Sequence, residues 1–333
     1  MSRLAINLGD ARHLSVAEMI EVAQAAERAG YEALFFGETW GWDIGLLLGV
    51  LATRTSAIRL GANIQNIFAR TPSATAQYAA TLDLLSNGRA IIGLGIATPA
   101  VVRDWHGVPY DRPAQRLRET VEILRQALSG QRLDYQGEIF RVQRFRLTVA
   151  PVQTRIPILL ATTRARNVEL TGRIADGWTP AFTTPQSLPI LREHLVAGAA
   201  AAGRDPAEIT VWPVVQAIVT DDPEPMRRLL RRHIAYYLGS QGSLHTRTLT
   251  QSGIFLDELQ RIKEAYTKDS RSAERVVPDE MVDALMLVGS AAECRRRLAD
   301  WHAAGADTPT LQLVVGTSFE DSLRTVEALG PAR

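Results

Sequence analysis

The chain is poor in cysteine, lysine and long apolar runs. Its 333 residues contain one cysteine, Cys294. That excludes an internal disulfide and fits a reducing cytoplasm, although a bacterial secreted protein could also lack disulfides. Lysine occurs only at Lys263 and Lys268, so arginine supplies nearly all of the 37 basic residues. This reads as GC-rich coding rather than as function. The formal net charge is +1, so no field draws the chain to nucleic acid or to an anionic membrane. The longest apolar run, 44–52, is far too short to span a bilayer. The first residues enter a strand-like stretch at once, without a signal-peptide layout, and a cytoplasmic location is expected. There is no phosphate-binding P-loop and no Gly-x-Ser-x-Gly elbow. The histidines at 13, 106, 194, 233, 245 and 302 have no metal-like spacing. No metal is therefore expected, and only His13 and His106 are expected near a strand tip.

What is present is an alternation. With 46% hydrophobic and 22% charged residues the chain has material for a large core. Short apolar strands are expected at 3–8, 33–37, 58–64, 90–94, 156–161, 177–182, 210–219 and 310–315, separated by amphipathic helices. Ser15 with Glu18 forms a capping box, Gly30 stops the first helix, Asp43 opens the second and Pro72 the third. Eight such units predict an α/β fold, a single (β/α)8 TIM barrel with insertions over 1–333. The excursions are a β-hairpin within 131–150 and a helical insertion at 220–288, with helices near 224–238 and 252–267 and no strand. The rival is an open doubly wound sheet, which usually carries a glycine-rich turn after its first strand; Gly9-Asp10-Ala11-Arg12 is not one.

A barrel keeps its chemistry at the C-terminal tips of its strands. Those tips are Asn7, 37–40, 63–66, 95–98, 162–164, Pro180, Gln216 and 316–317. The third ends in three amides, Asn63, Gln65 and Asn66, beside Ile64. These suit a heterocycle with carbonyls and ring nitrogens, or else a solvated loop. The fourth ends Gly95-Ile96-Ala97-Thr98 and fits either a ligand or close packing. Thr162, Thr163 and Arg164 open a helix; they form a phosphate seat or simply cap it. Glu38 with Thr39, Trp40 and Trp42 walls a pocket for a flat or apolar substrate, or else is an arginine-paired carboxylate beside surface aromatics.

Residues 60–95, LGANIQNIFARTPSATAQYAATLDLLSNGRAIIGLG, resemble the signature of the luciferase-like monooxygenases and reductases. HGVPYDRPAQRLRETVEILRQALSG (106–130), YQGEIFRV (135–142), TGRIADGW (171–178) and VGSAAECRRRLADWHAAGAD (288–307) match later segments in order. YDRPAQRLRE is similar to the branch that uses coenzyme F420, the methylenetetrahydromethanopterin reductase-like group. The resemblance implies a TIM barrel holding a deazaflavin, or alternatively FMN, in its mouth. It implies a bulge with a non-prolyl cis peptide at Asn63–Ile64. It places ring contacts on Asn63, Ile64, Asn66, Ile96, Ala97 and Thr98, and phosphate contacts on Thr162, Thr163 and Arg164. It also implies a homodimer and a small-molecule substrate.

Three departures matter. The sugar-phosphate dehydrogenases of the family carry His where this chain has Thr39 and Glu where it has Thr98. Flavin monooxygenases often have Glu-His at Glu38-Thr39. The phosphate loop commonly has Gly-Gly at Thr163-Arg164. The expectation is therefore an F420-dependent oxidoreductase acting on a bulky or hydrophobic C=C, C=N or C=O compound, with Glu38 as its acid or as a group that orients the ring. The alternatives are an FMN-dependent monooxygenase and a non-catalytic ligand-binding subunit.

Overall fold

The computed structural model describes residues 3–239 and 245–331. The first half alternates strictly: β1 (Ala5–Asn7), α1 (Val16–Ala29), β2 (Ala33–Phe36), α2 (Ile44–Ala52), β3 (Arg59–Ala62), β4 (Gln65–Asn66), α3 (Pro72–Leu85) and β5 (Ala90–Gly95). The helix starts follow side-chain chemistry. The Ser15–Glu18 capping box forms, Asp43 accepts from the amides of Gly45 and Leu46, and Thr71 caps α3 with Pro72 in its first turn. A π-helical turn at Val101–Trp105 follows β5, and α4 (Pro113–Leu128) follows that. The hairpin is β6 (Leu133–Gln136) against β7 (Arg141–Phe145), antiparallel. Buried Glu119 of α4 anchors it by accepting from the backbone amides of Glu138, Ile139 and Phe140.

The alternation resumes with β8 (Ile158–Ala161), α5 (Ala165–Ile174), β9 (Gly177–Trp178), α6 (Ser187–Ala201), β10 (Thr210–Val211) and β11 (Val214–Val219). β10 and β11 are one strand interrupted at Trp212-Pro213, because proline brings no N–H to the ladder. This strand closes the ring. Trp212 and Val214 donate to Trp178 and Pro180 on one edge, at 2.7 and 2.8 Å, while Pro213 accepts from Thr310 on the other. β13 (Thr310–Leu313) pairs with both β11 and β1, and β1 pairs with β2. The fold is a TIM barrel of parallel strands. Its interior is filled: Ala5, Ala33, Phe35, Ile91, Leu159 and Trp212 form their own buried cluster, with Phe35 and Trp212 edge to face at 6.0 Å.

The 220–288 region corrects the sequence reading. It holds five helices among the described residues: α7 (Pro223–Gly239), α8 (Thr246–Ser252), α9 (Leu256–Tyr266), α10 (Ser270–Arg275) and α11 (Asp279–Leu285). It also ends in a strand, β12 (Met286–Gly289), parallel to β11 with Gln216 opposite Met286. A four-residue apolar run directly after a helix carries no period of its own, so nothing in its pattern separated strand from helix. After β12 come α12 (Ala291–Ala303), β13 and α13 (Phe319–Leu329). The insertion has its own apolar core, in which Leu230, Ile234, Ile262, Met281 and Val282 are buried. No helix among the described residues is long and apolar enough to cross a membrane.

Candidate active site at the barrel mouth

The third strand breaks just where its amides begin. After β3 the Asn63–Ile64 peptide is cis, and the two-residue β4 restarts pairing with Leu94 and Gly95 of β5. Two glycines let the backbones approach this closely. A Cβ on Gly93 would stand 2.1 Å from the Ala62 carbonyl oxygen, and one on Gly95 would stand 2.8 Å from Ile64 Cδ1. The Gly-Leu-Gly of the fourth barrel strand is thus a steric counterpart of the bulge.

The amides divide the work. Asn63 donates to the Thr179 hydroxyl at 2.8 Å, tying the third strand to the sixth. Its carbonyl accepts from Asn7 at 3.3 Å. Asn66 accepts from the Phe68 amide through Oδ1, while its Nδ2 and both polar atoms of Gln65 are buried without a partner among the described residues.

Of the two readings of Glu38, the structure gives the arginine-paired carboxylate. One carboxylate oxygen accepts from the Asn66 backbone amide at 2.7 Å and the other pairs with Arg70, which also faces Asp43 at 3.6 Å. Glu38 therefore holds the bulge, with its oxygens already engaged. The tryptophans depart from expectation. Trp40 is 54% and Trp42 42% exposed. Neither they nor Thr39 line the cavities at the mouth.

The first of these cavities, of about 220 Å³, lies over the bulge. Asn63 and Ile64 form one wall and Gly95 to Thr98 another, with Ala97 at φ 49° turning the chain. Ala161, Thr162, Thr163 and Thr179 complete the side toward β8 and β9. No carboxylate, lysine or arginine lines it among the described residues. Seven of the nine expected contact residues (Asn63, Ile64, Ile96, Ala97, Thr98, Thr162 and Thr163) line it, while Asn66 and Arg164 do not.

The expected phosphate seat is rearranged. Thr162 does not cap α5: its hydroxyl shares a 2.8 Å hydrogen bond with buried Thr171, and its carbonyl accepts from Trp178. Arg164 is the N-cap residue, extended, with no capping side-chain bond of its own. Gln251 of α8 takes the helix end instead, accepting from the Ala165 amide at 2.7 Å and donating to the Thr163 carbonyl. Arg247, from the same helix, lies close enough to Arg164 that burial and then Arg164's charge both push its basicity down. Neither arginine has an ion-pair partner among the described residues, and the charge of both acts on Tyr110.

A second cavity, of about 170 Å³, adjoins the first and shares Ala181, Val214, His245 and Gln312 with it. Its far side comes from Gln216, His233 and Tyr237 with Leu285 and Met286. Phe182, His233, Tyr237 and His245 form a ring cluster, with His233 to Tyr237 at 4.5 Å and His245 to Phe182 at 5.0 Å. Burial pushes both imidazoles down to about 4, and for His233 the nearby His245 adds to it. Here the reading of the histidines is corrected. His233 and His245, far from any strand tip in sequence, are folded over the mouth by α7 and α8. Gln216, named as a tip, was the one signal that pointed here.

The profile of the luciferase-like monooxygenases matches residues 4–308. The chain belongs to that family. Within it, a Mycobacterium tuberculosis protein whose name assigns it provisionally to the coenzyme F420-dependent oxidoreductases is 32% identical, with 93% of each chain covered. The 5,10-methylenetetrahydromethanopterin reductase of Archaeoglobus fulgidus is 27% identical over 94% of this chain and 93% of its own. Among solved structures, the coenzyme F420 dependent tetrahydromethanopterin reductase of Methanopyrus kandleri superposes with a TM-score of 0.85, covering 99% of this chain and 97% of its own. At 24% identity that likeness speaks for the family fold alone.

Proposed function

We propose that the protein is a coenzyme F420-dependent oxidoreductase that moves a hydride between the deazaflavin and a hydrophobic organic compound. The observation that carries this is the pairing of an uncharged cavity with two arginines that lack an acidic partner at its edge. A deazaflavin has two matching halves: a flat heterocyclic ring system and a phosphate-bearing tail. Asn63, Ile64 and the 95–98 strand end fit the ring, which needs amide and backbone donors on an apolar floor. Arg164 and Arg247 fit the tail, since an anion relieves their mutual repulsion. The names of the family relatives point the same way.

When bound, the cofactor supplies or accepts the hydride. The chain's own work is to seat the ring against the bulge that Glu38 and Arg70 brace, and to leave the face toward the second cavity open. Thr39 and Thr98 stand where the sugar-phosphate dehydrogenases are expected to carry His and Glu, so reduction of an unsaturated compound fits better than sugar-phosphate oxidation. A homodimer and a cytoplasmic location belong to the same reading. The apolar outer face of α2, where Leu46 is 75% exposed, is where a second copy would seat.

Fluorescence titration of the purified protein with F420 and, separately, with FMN tests this. The expected result is saturable F420 binding in the micromolar range and weaker FMN binding. Absence of F420 binding at those concentrations overturns it, and tight FMN binding with substrate-dependent oxygen uptake moves the protein to the monooxygenases.

A further inference from the structure

The second cavity adjoins the one assigned above to the cofactor ring, and its lining carries no charge. Every polar group on it is neutral: the Gln216 and Gln312 amides, the Tyr237 hydroxyl and the two imidazoles. Asp10 and Arg12 act on Tyr237 from the β1 loop and pair with one another at 3.1 Å. Burial keeps His233 and His245 neutral at pH 7, so each offers one N–H donor and one bare nitrogen. Gln216 meets the His233 ring, while its Oε1 is buried without a partner. His245 lies at the junction, lining both cavities.

We propose, resting on the F420 reading, that this second cavity is the substrate chamber for a compact, uncharged ketone or its secondary alcohol, with His245 hydrogen-bonded to the reacting oxygen. Each alternative meets a physical objection. An imine is protonated when it reacts, and no carboxylate among the described residues lines the chamber to receive a cation. A carboxylate or phosphate would enter an apolar, ring-walled space with no cation on its lining. A plain alkene would leave the imidazoles and amides without partners. A carbonyl or hydroxyl oxygen uses a neutral N–H donor, and the ring cluster takes the hydrocarbon. The volume of about 170 Å³ is below that of drug-sized sites, which favours a compact compound over a bulky one.

In the reducing direction His245 holds the carbonyl oxygen while the hydride arrives at the carbonyl carbon. The new C–H bond forms, the C=O π pair moves to oxygen, and that oxygen takes a proton from water. The oxidising direction reverses each transfer. A neutral imidazole N–H aimed where negative charge develops favours the transition state over the ground state.

The test follows the imidazole signals of the full-length protein by NMR, assigned through His245→Phe and His233→Phe. Cyclohexanone and cyclohexanol are titrated against cyclohexanecarboxylate and cyclohexylammonium. Saturable shifts at His245 and His233, none at His194, and no response to the charged pair are expected. His245→Phe, which keeps the ring contacts, is expected to weaken cyclohexanone binding at least tenfold and to slow cyclohexanone-dependent oxidation of reduced F420 by a similar factor. His245→Gln, which keeps a neutral donor, is expected to recover most of both. Equal binding of the charged analogues, or undiminished cyclohexanone binding by His245→Phe, overturns the chamber. F420 binding without ketone shifts at His245 overturns it too and leaves the cofactor reading standing. Ketone shifts without F420 binding overturn the cofactor reading alone.

Discussion

The two cavities of the mouth are adjacent and share a wall, yet they are built in opposite ways. The first is made by main chain. A bulge in the third barrel strand, two glycines in the fourth and the Ala97 turn shape it, and most of its lining side chains are small. The second is made by side chains. Rings from α7, α8 and the loop after β9 enclose it, and its polarity comes from amides and imidazoles. A backbone-built site holds an invariant ligand, because its shape cannot change without moving strands. A site walled by rotatable side chains on an insertion can change its ligand by substitution alone. On the proposed assignment, cofactor and substrate recognition in this barrel rest on different kinds of structure.

The largest effect that would break the contrast is expected at Gly93. Gly93→Ala places a methyl against the Ala62 carbonyl, where neither strand can yield. A loss of about 3 kcal/mol in unfolding free energy is expected, with F420 affinity lost alongside. Urea denaturation and fluorescence titration measure the two. A stable Gly93→Ala protein with normal F420 binding would show that the first cavity is not set by backbone contact.

The second cavity is expected to show itself in pH. His233 and His245 take up protons near 6.5 when unfolded but only near 4 when folded. The unfolded chain therefore binds more protons between those values. The stability of the neutral, buried form is complete above 6.5 and lost as pH falls toward 4. Each imidazole contributes roughly 2 kcal/mol of loss between pH 7 and 5. The urea midpoint measured across that range is expected to fall less steeply in His233→Phe than in the parent. An unchanged slope would mean that the ring cluster opens to water.

The smallest effect sharpens the role of Glu38. Glu38→Gln keeps an acceptor for the Asn66 amide but removes the charge that faces Arg70. F420 binding is expected to weaken about fivefold, roughly 1 kcal/mol, with kcat within threefold of the parent. A hundredfold loss of kcat at unchanged F420 affinity would return Glu38 to the role of acid.

Much of this was legible in sequence, for identifiable reasons. The eight barrel strands and their helix caps rest on local rules. Ser15 with Glu18, Asp43 and Thr71-Pro72 act within one helical turn. The cluster of amides at 63–66 was legible because polar side chains at the end of an apolar strand are out of place unless something meets them. Other parts depended on distant partners. Thr162 looks like a cap until Thr171 takes its hydroxyl, and the end of α5 looks open until Gln251 arrives from 86 residues away. Glu38 could be read as an acid or as an arginine-paired carboxylate until the fold brought Arg70 onto it.

The sequence by itself determined the barrel and its tips, because periodicity and capping act over short distances; the bulge beneath the first cavity was implied only by the family resemblance. Only the tertiary structure decided what faces the second cavity. The path of α7 and α8 depends on how the insertion packs its own core, and that packing carries His233 and His245 from an unremarked helical stretch to the mouth. Contacts between segments so far apart leave no local pattern, because loop closure lets almost any sufficiently long insertion reach the same place.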